Sequence, residues 1–180
     1  RDDYATYSFP DIYNSPQYFQ HGDFDGDGVD EISIFGRIKH NNKIQIKLIS
    51  GRDADNKFTA YNYPDRWDNI SWNKLFDMNS DGLADWGLFG KSNEDSRIML
   101  MVKDAREIKG LLASYAWPEM DNPQLLITPD LTADNVAELA VAGWRPDTMR
   151  NQIQVKDGQD RNALIATYTW ADKWDDVVFH

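Results

Sequence analysis

The chain has 180 residues, of which 19 are basic and 30 acidic, so its formal net charge is −11. Hydrophobic residues make up 41% of it, which is too apolar for a disordered chain, and the acidic balance argues against nucleic-acid binding. The absence of cysteine excludes disulfides and thiolate chemistry. No apolar run reaches the length of about 18 residues that a membrane span needs.

Three similar units follow one another within a single domain, at approximately 16–68, 69–122 and 123–175. Each contains an acidic stretch: GDFDGDGVDEISIFG in the first, FDMNSDGLADWGLFG in the second and PDLTADNVAELAVAG in the third. The leading acids of these stretches lie 54 and 53 residues apart, at Asp23, Asp77 and Asp130. A fixed period of this size is typical of repeat architectures.

A second motif, Tyr-x-aromatic followed by Pro or Ala and an acid, holds the same period. It begins at Tyr7, Tyr61, Tyr115 and Tyr168. Between the two motifs lie IQIKL, IMLMV and QIQV. The first and third alternate apolar with polar residues, which predicts half-buried strands, whereas the second is apolar throughout and predicts a strand covered on both faces.

Each unit is therefore predicted to form four short strands, which in the middle unit lie at 73–76, 86–90, 97–103 and 111–117. No convincing amphipathic helix is present. Four-stranded units at this period indicate an all-β fold, a β-propeller-like array of about three four-stranded blades. Residues 1–15 and 175–180 resemble partial strands of neighbouring blades. We therefore expect either part of a larger propeller or an assembly of several copies.

The acidic loop of the first unit contains candidate metal ligands. Asp23, Asp25 and Asp27 alternate, a glycine follows, and Glu31 ends the loop. Hard oxygen ligands on alternate residues, with a glycine at the sharp turn, are typical of a Ca²⁺ site, and a backbone carbonyl at the seventh position, here Val29, completes it. The second loop has the same pattern, with predicted ligands Asp77, Asn79, Asp81, Leu83 and Asp85.

The third loop departs from this pattern. Its candidate ligands are Asp130, Thr132, Asp134, Val136 and Glu138. Asn135 replaces the turn glycine, and asparagine tolerates a left-handed backbone better than most residues. Because threonine is a neutral ligand, we expect a degenerate third site that binds Ca²⁺ more weakly.

An EF-hand is the main competing interpretation, and it needs a bidentate acid at the twelfth loop position followed by a helix. The twelfth positions here are the apolar Ile34, Leu88 and Val141, each inside a predicted strand. The ninth-position acid must therefore close each site. Asp-rich turns between strands that bind no ion are a further alternative.

A nine-residue loop of the form D-x-[DN]-x-[DN]-G-x-x-[DE], running into a strand that ends in glycine, resembles the FG-GAP/VCBS repeat family. The first two loops match in full, and the resemblance covers nearly the whole chain. The nine-residue loop is similar to the calcium loops of integrin α-subunit propellers. The resemblance implies a calcium-bearing propeller of a secreted or cell-surface protein. It also implies metal-ligand roles for the four acids of the first loop and for Asn79 and the three acids of the second.

The resulting functional expectation is a non-catalytic, calcium-binding segment that acts in adhesion or in recognition of a protein or carbohydrate. The alternatives are a carbohydrate-binding lectin and an accessory domain of a secreted polysaccharide-active enzyme. The only histidines are His21, His40 and His180, and no hydrolase or nucleotide-binding motif is present. We therefore expect no catalysis.

Large apolar residues recur with the period just after the Tyr-x-aromatic motif and are expected to pack between blades. These positions are Tyr13, Trp67, Met120 and Trp174. Three tryptophans break the period, and we treat them as candidates for contact with a ligand. They are Trp72, Trp86 and Trp144.

Overall fold

A computed structural model describes residues 11–50, 59–63, 66–104, 111–160 and 163–171. These residues form twelve strands and no helix, so the predicted all-β class is confirmed. Within the same residues there is consequently no helix long and apolar enough to cross a membrane. The strands form three antiparallel sheets of four, each with its strands in chain order.

Sheet 1 consists of β1 (Tyr13–Gly22), β2 (Glu31–Ile38), β3 (Ile44–Ile49) and β4 (Thr59–Tyr63). The alternation in β3 places the apolar side chains of IQIKL in the core and leaves the polar ones half-buried. Residues 13–15 belong to the first strand of this sheet, which corrects the expectation that they end a preceding blade. Residues 1–10 lie outside the described part of the chain.

Sheet 2 consists of β5 (Trp67–Phe76), β6 (Asp85–Ser92), β7 (Ile98–Lys103) and β8 (Leu111–Trp117). The four strands predicted for this unit are confirmed, although β5 begins six residues earlier than expected. Its register with β6 shifts between Trp67 and Asn69 and again between Ile70 and Trp72. Such bulges interrupt the period of two on which the prediction depended.

Sheet 3 consists of β9 (Asp121–Ile127), β10 (Leu139–Arg145), β11 (Arg150–Lys156) and β12 (Leu164–Trp170). The alternation in β11 is unusual because its two glutamines are buried. The Gln154 side-chain amide donates to Oε1 of Gln152 at 2.8 Å, and an Arg145 guanidinium nitrogen donates to the same oxygen at 2.9 Å. These hydrogen bonds compensate for burying the polar groups.

The three sheets stack face to face, with sheet 2 in the middle. One core cluster joins Ile46 and Tyr61 of sheet 1 to Trp86 and Leu88 of sheet 2. A second cluster joins sheet 2 to Leu139 and Val141 of sheet 3. Both faces of β7 are accordingly covered, as its apolar sequence predicts. Between sheets, the closest approaches of the backbone involve the first strands: β5 lies near β1 on one side and near β9 on the other.

The predicted partial strand at residues 175–180, like Trp174, lies outside the described residues. Trp67 and Met120 are buried in the clusters that join neighbouring sheets, as expected. Tyr13 is also buried, but its cluster contains only residues of sheet 1 and Ile12, so its packing between blades stays a prediction.

Candidate metal centre

Each sheet carries an acidic loop between its first and second strands. We call these loop 1 (23–31), loop 2 (77–85) and loop 3 (130–138). In loop 1 the carboxylates of Asp23, Asp25 and Asp27 converge, with one oxygen of each lying within 4.8 Å of the others. In loop 3 the carboxylates of Asp130, Asp134 and Glu138 converge in the same way. Three of the predicted acid ligands are therefore brought together in each of these two loops, whereas Glu31 is not part of the loop 1 group. Among the described residues, the acids of loop 2 form no such group of three.

The leading aspartate organises each loop by accepting backbone hydrogen bonds from residues three to five positions later. In loop 1, the Gly26 N–H donates to one Asp23 carboxylate oxygen at 2.7 Å and the Gly28 N–H donates to the other at 3.0 Å. In loop 2, the N–H of Gly82 donates to Asp77 at 2.9 Å. The chain thus wraps around the leading carboxylate.

Asp130 receives the same bonds in loop 3, from the N–H groups of Ala133 at 2.6 Å and Asn135 at 2.9 Å. The backbone hydrogen bond from Asn135, with further ones from its neighbours, lowers the pKa of Asp130 below its usual value. Hydrogen bonds to a charged carboxylate favour the ionised form, which is the form a metal ion requires.

The fourth and sixth positions of every loop adopt a left-handed backbone. They are Gly26 and Gly28 in loop 1, Ser80 and Gly82 in loop 2, and Ala133 and Asn135 in loop 3. Asn135, with φ of 67°, takes the conformation of the glycine that it replaces. The degenerate loop therefore keeps the backbone path of the other two.

The closing acids at the ninth position are buried, although the rest of each loop is largely exposed. Glu31 accepts the Phe24 N–H at 2.8 Å, and Asp85 accepts the Met78 N–H at 3.0 Å. In loop 3, Glu138 accepts the N–H of Leu131 at 2.5 Å. A buried carboxylate is costly unless it is compensated, and a bound cation is one way to compensate it.

Loop 2 differs from its neighbours because Asn79 stands where loop 1 has Asp25. Asn79 Oδ1 accepts the Asp81 N–H at 3.1 Å, and its amide nitrogen donates to Asp81 Oδ2 at 3.2 Å. Loop 2 therefore holds one carboxylate fewer among its alternating positions. An amide oxygen is nevertheless a usual Ca²⁺ ligand.

The seventh-position residues were predicted to offer backbone carbonyls. The described hydrogen bonds of these residues involve their N–H groups instead, which donate to the fifth-position carboxylates two residues earlier. The pairs are Val29 with Asp27 at 2.8 Å, Leu83 with Asp81 at 2.9 Å and Val136 with Asp134 at 2.8 Å. The carbonyl ligand role of Val29, Leu83 and Val136 stays a prediction.

Thr132 also contributes to loop 3, since its hydroxyl donates to Oε1 of Glu138 at 3.0 Å. This contact holds the neutral side chain next to the convergent carboxylates. Its oxygen therefore lies at the predicted site, in keeping with a weaker ligand set.

Contacts between the loops were not foreseen from the sequence. The Ala84 N–H donates to the backbone carbonyl of Asp23 at 3.0 Å, which joins loop 2 to loop 1. The Ser80 hydroxyl donates to the Asn135 carbonyl at 3.1 Å, which joins loop 2 to loop 3. The three loops thus form one continuous row, in which each loop touches the next.

The structure shows the burial of two of the three tryptophans that were candidates for contact with a ligand. Trp86 is completely buried between sheets 1 and 2, with its ring centroid 5.4 Å from that of Phe24 and 5.7 Å from that of Tyr61. It is a core residue, so it is not accessible to the ligand for which it was a candidate. Trp144 is half-buried, and the side chain of Trp72 lies outside the described residues.

Comparisons with protein-family models, with curated proteins and with solved structures found no match.

Proposed function

We propose that the chain is a calcium-binding module in which the loops between first and second strands each bind Ca²⁺. The observation that carries this proposal is the convergence of three carboxylates in loop 1 and of three in loop 3, within 4.8 Å in each case. Such groups repel one another when ionised, and a divalent cation removes the repulsion. Ca²⁺ fits the donor set because all of the side-chain ligands are oxygens.

The backbone supports this proposal independently of the charges. Hydrogen bonds to the leading aspartate and left-handed residues at the fourth and sixth positions shape each loop before a cation binds. A loop that is already shaped pays less conformational entropy on binding. Because the loops also touch one another, binding in loop 2 would strengthen the junctions on both sides.

We also propose that the three sheets are blades of a propeller-like structure. Strand order follows the chain in every sheet, the sheets stack face to face, and the first strands approach one another. This arrangement suits radial packing about an axis near β1, β5 and β9. The resemblance to FG-GAP/VCBS repeats adds an extracellular setting and a role in adhesion or recognition.

The calcium proposal is tested by thermal unfolding of the whole chain in Ca²⁺ and in chelator. We expect Ca²⁺ to raise the melting temperature and Asp25→Asn to reduce the increase. Glu94→Gln is a matched control because it removes one exposed carboxylate from a turn outside the loops. Equal melting temperatures in Ca²⁺ and chelator would contradict the proposal, as would an equal effect of the two substitutions.

The recognition role is tested separately, by binding of the calcium-loaded chain to arrays of glycans and extracellular proteins. We expect selective binding that chelation weakens, since the loops stabilise the sheets that present the binding surface. Turnover of a polysaccharide by the chain would instead favour the hydrolase alternative.

A further inference from the structure

The last strand of sheet 3, β12, exposes a stacked pair of aromatic side chains. Tyr168 is 56% exposed and Trp170 is 37% exposed. Their rings lie with centroids 6.4 Å apart and an interplanar angle of 27°. Adjacent exposed aromatics are more informative than scattered ones, because contiguous apolar patches mark interaction sites.

The last strands of sheets 1 and 2 carry aromatic pairs at the same repeat positions, and there the pairs are covered. In β4 the pair is Tyr61 and Tyr63, and in β8 it is Tyr115 and Trp117. All four side chains are buried. In each case the next sheet along the chain packs on the pair, since one core cluster joins sheet 1 to sheet 2 and another joins sheet 2 to sheet 3. The chain therefore shows twice what kind of surface covers this aromatic pair.

In both junctions a lysine of the covering sheet lies over the aromatic pair. The Lys103 ammonium of sheet 2 is 5.4 Å from the ring centre of Tyr63 and 6.0 Å from that of Tyr61. The Lys156 ammonium of sheet 3 is 5.7 Å from the ring centre of Trp117. At such distances an ammonium is attracted to the face of an aromatic ring. Because the two lysines lie one repeat apart, this contact belongs to the repeat and not to one junction alone.

Each of these lysines has a large apolar residue directly across from it in its own sheet. Lys103 pairs with Trp86, and Lys156 pairs with Leu139. Cross-strand partners lie on the same face, and both apolar partners are buried in the clusters that join the sheets. Burial lowers the pKa of both lysines, as expected for ammonium groups that are partly withdrawn from water. The covering surface is thus a sheet face that combines a lysine with an apolar neighbour.

We propose that the Tyr168/Trp170 face of β12 docks a partner protein, through a sheet face on which a lysine lies directly across from a large apolar residue. The net charge of −11 on this chain favours the approach of a lysine-bearing partner. A second copy of the chain does not offer this pair, because the corresponding positions of sheet 1 pair Ile32 with Ile49. The docking does not require Ca²⁺, so it is independent of the proposed metal binding.

The covering face of sheet 3 itself supplies a probe of this chemistry. A head-to-tail cyclised hairpin that joins the sequences 139–145 and 150–156 retains Leu139 across from Lys156. Cyclisation is needed because an open two-stranded hairpin is only marginally stable in water. Isothermal titration of this hairpin into the whole chain should show saturable binding. The hairpin with Lys156→Met keeps an unbranched side chain but loses the ammonium, and we expect it to bind about fivefold more weakly.

Variants of the whole chain locate the binding face. We expect Tyr168→Ser/Trp170→Ser to weaken binding of the hairpin at least about 30-fold, because aromatic residues dominate interface energies. The control Met149→Ser removes a side chain that is 66% exposed in the β10–β11 turn, and it should leave the affinity unchanged. Circular dichroism checks that each variant is folded, and the Lys156→Met hairpin needs no variant of the chain.

Three results in the titration would overturn the inference: no saturable binding, equal affinity for the two hairpins, or binding that the double variant preserves. Sedimentation equilibrium of the chain alone tests the other occupant. We expect no dimer that depends on Tyr168 and Trp170. A dimer that the double variant abolishes would show that a second copy covers this face, and would refute docking of a lysine-bearing partner.

Discussion

Gly82 in loop 2 offers a test of how the loops are built. Its φ is +86°, and a Cβ added there would meet no heavy atom within 4 Å, so Gly82→Ala introduces backbone strain without a clash. A left-handed backbone costs an alanine about 1–2 kcal/mol. The lower entropy of the unfolded alanine chain offsets about 0.4–1 kcal/mol of this. The net loss in the free energy of unfolding is therefore about 1 kcal/mol.

Loop 3 supplies the matched reverse substitution. Ala133 already adopts a left-handed backbone, with φ of 64°, so Ala133→Gly should raise the free energy of unfolding by a similar amount. Urea unfolding in chelator measures both effects without a contribution from metal binding. In thermal melts, about 1 kcal/mol corresponds to about 2–4 °C for a chain of this size. A Gly82→Ala variant as stable as the parent, or an Ala133→Gly variant less stable than it, would refute this description of the loops.

Three further predictions concern single side chains. Burial raises the pKa of Tyr61 to about 12, so the unfolded chain releases the Tyr61 proton at a lower pH than the folded chain does. The free energy of unfolding should therefore fall as pH rises from about 10 towards 12. Urea titrations should show a shallower fall in Tyr61→Phe. Tyr115→Phe should cost about 1–2 kcal/mol, because it leaves the buried Gly158 carbonyl without its donor; an unchanged urea midpoint would contradict this. At fixed Ca²⁺, Asp81→Ala should lower the melting temperature more than Asp134→Ala, since loop 3 is degenerate; the opposite order would refute that ranking.

The strands of the middle unit could be predicted because β7 and β8 are short apolar runs bounded by polar turns. The beginning of β5 could not, because its two bulges break the alternation between Trp67 and Trp72. The burial of Trp86 could not be predicted from the period either. Tryptophan at this position has no aromatic counterpart in the other two units, but the side chain fills the core between sheets 1 and 2.

The candidate site was predictable in its residue types and less so in its contacts. Alternating acids identify the loops, and the ninth-position acid was correctly separated from an EF-hand pattern. The burial of the ninth-position acid, and the hydrogen bond that it accepts from the second loop residue, depend on how each loop folds over the following strand. The spacing of the acids in the sequence does not encode this. The bond from Ser80 to Asn135 depends on the stacking of two sheets, so local sequence carries no signal for it.

Isothermal titration of Ca²⁺ into the metal-free chain tests the central claim most directly. We expect saturable binding at two stronger sites and one weaker site, with loss of one stronger site in Asp25→Asn and of the other in Asp81→Asn. At a free Ca²⁺ concentration about 100 times the dissociation constant, each site should add about 2.7 kcal/mol to the free energy of unfolding. A titration without saturable binding, or binding that both substitutions leave intact, would contradict the proposal that these loops hold calcium.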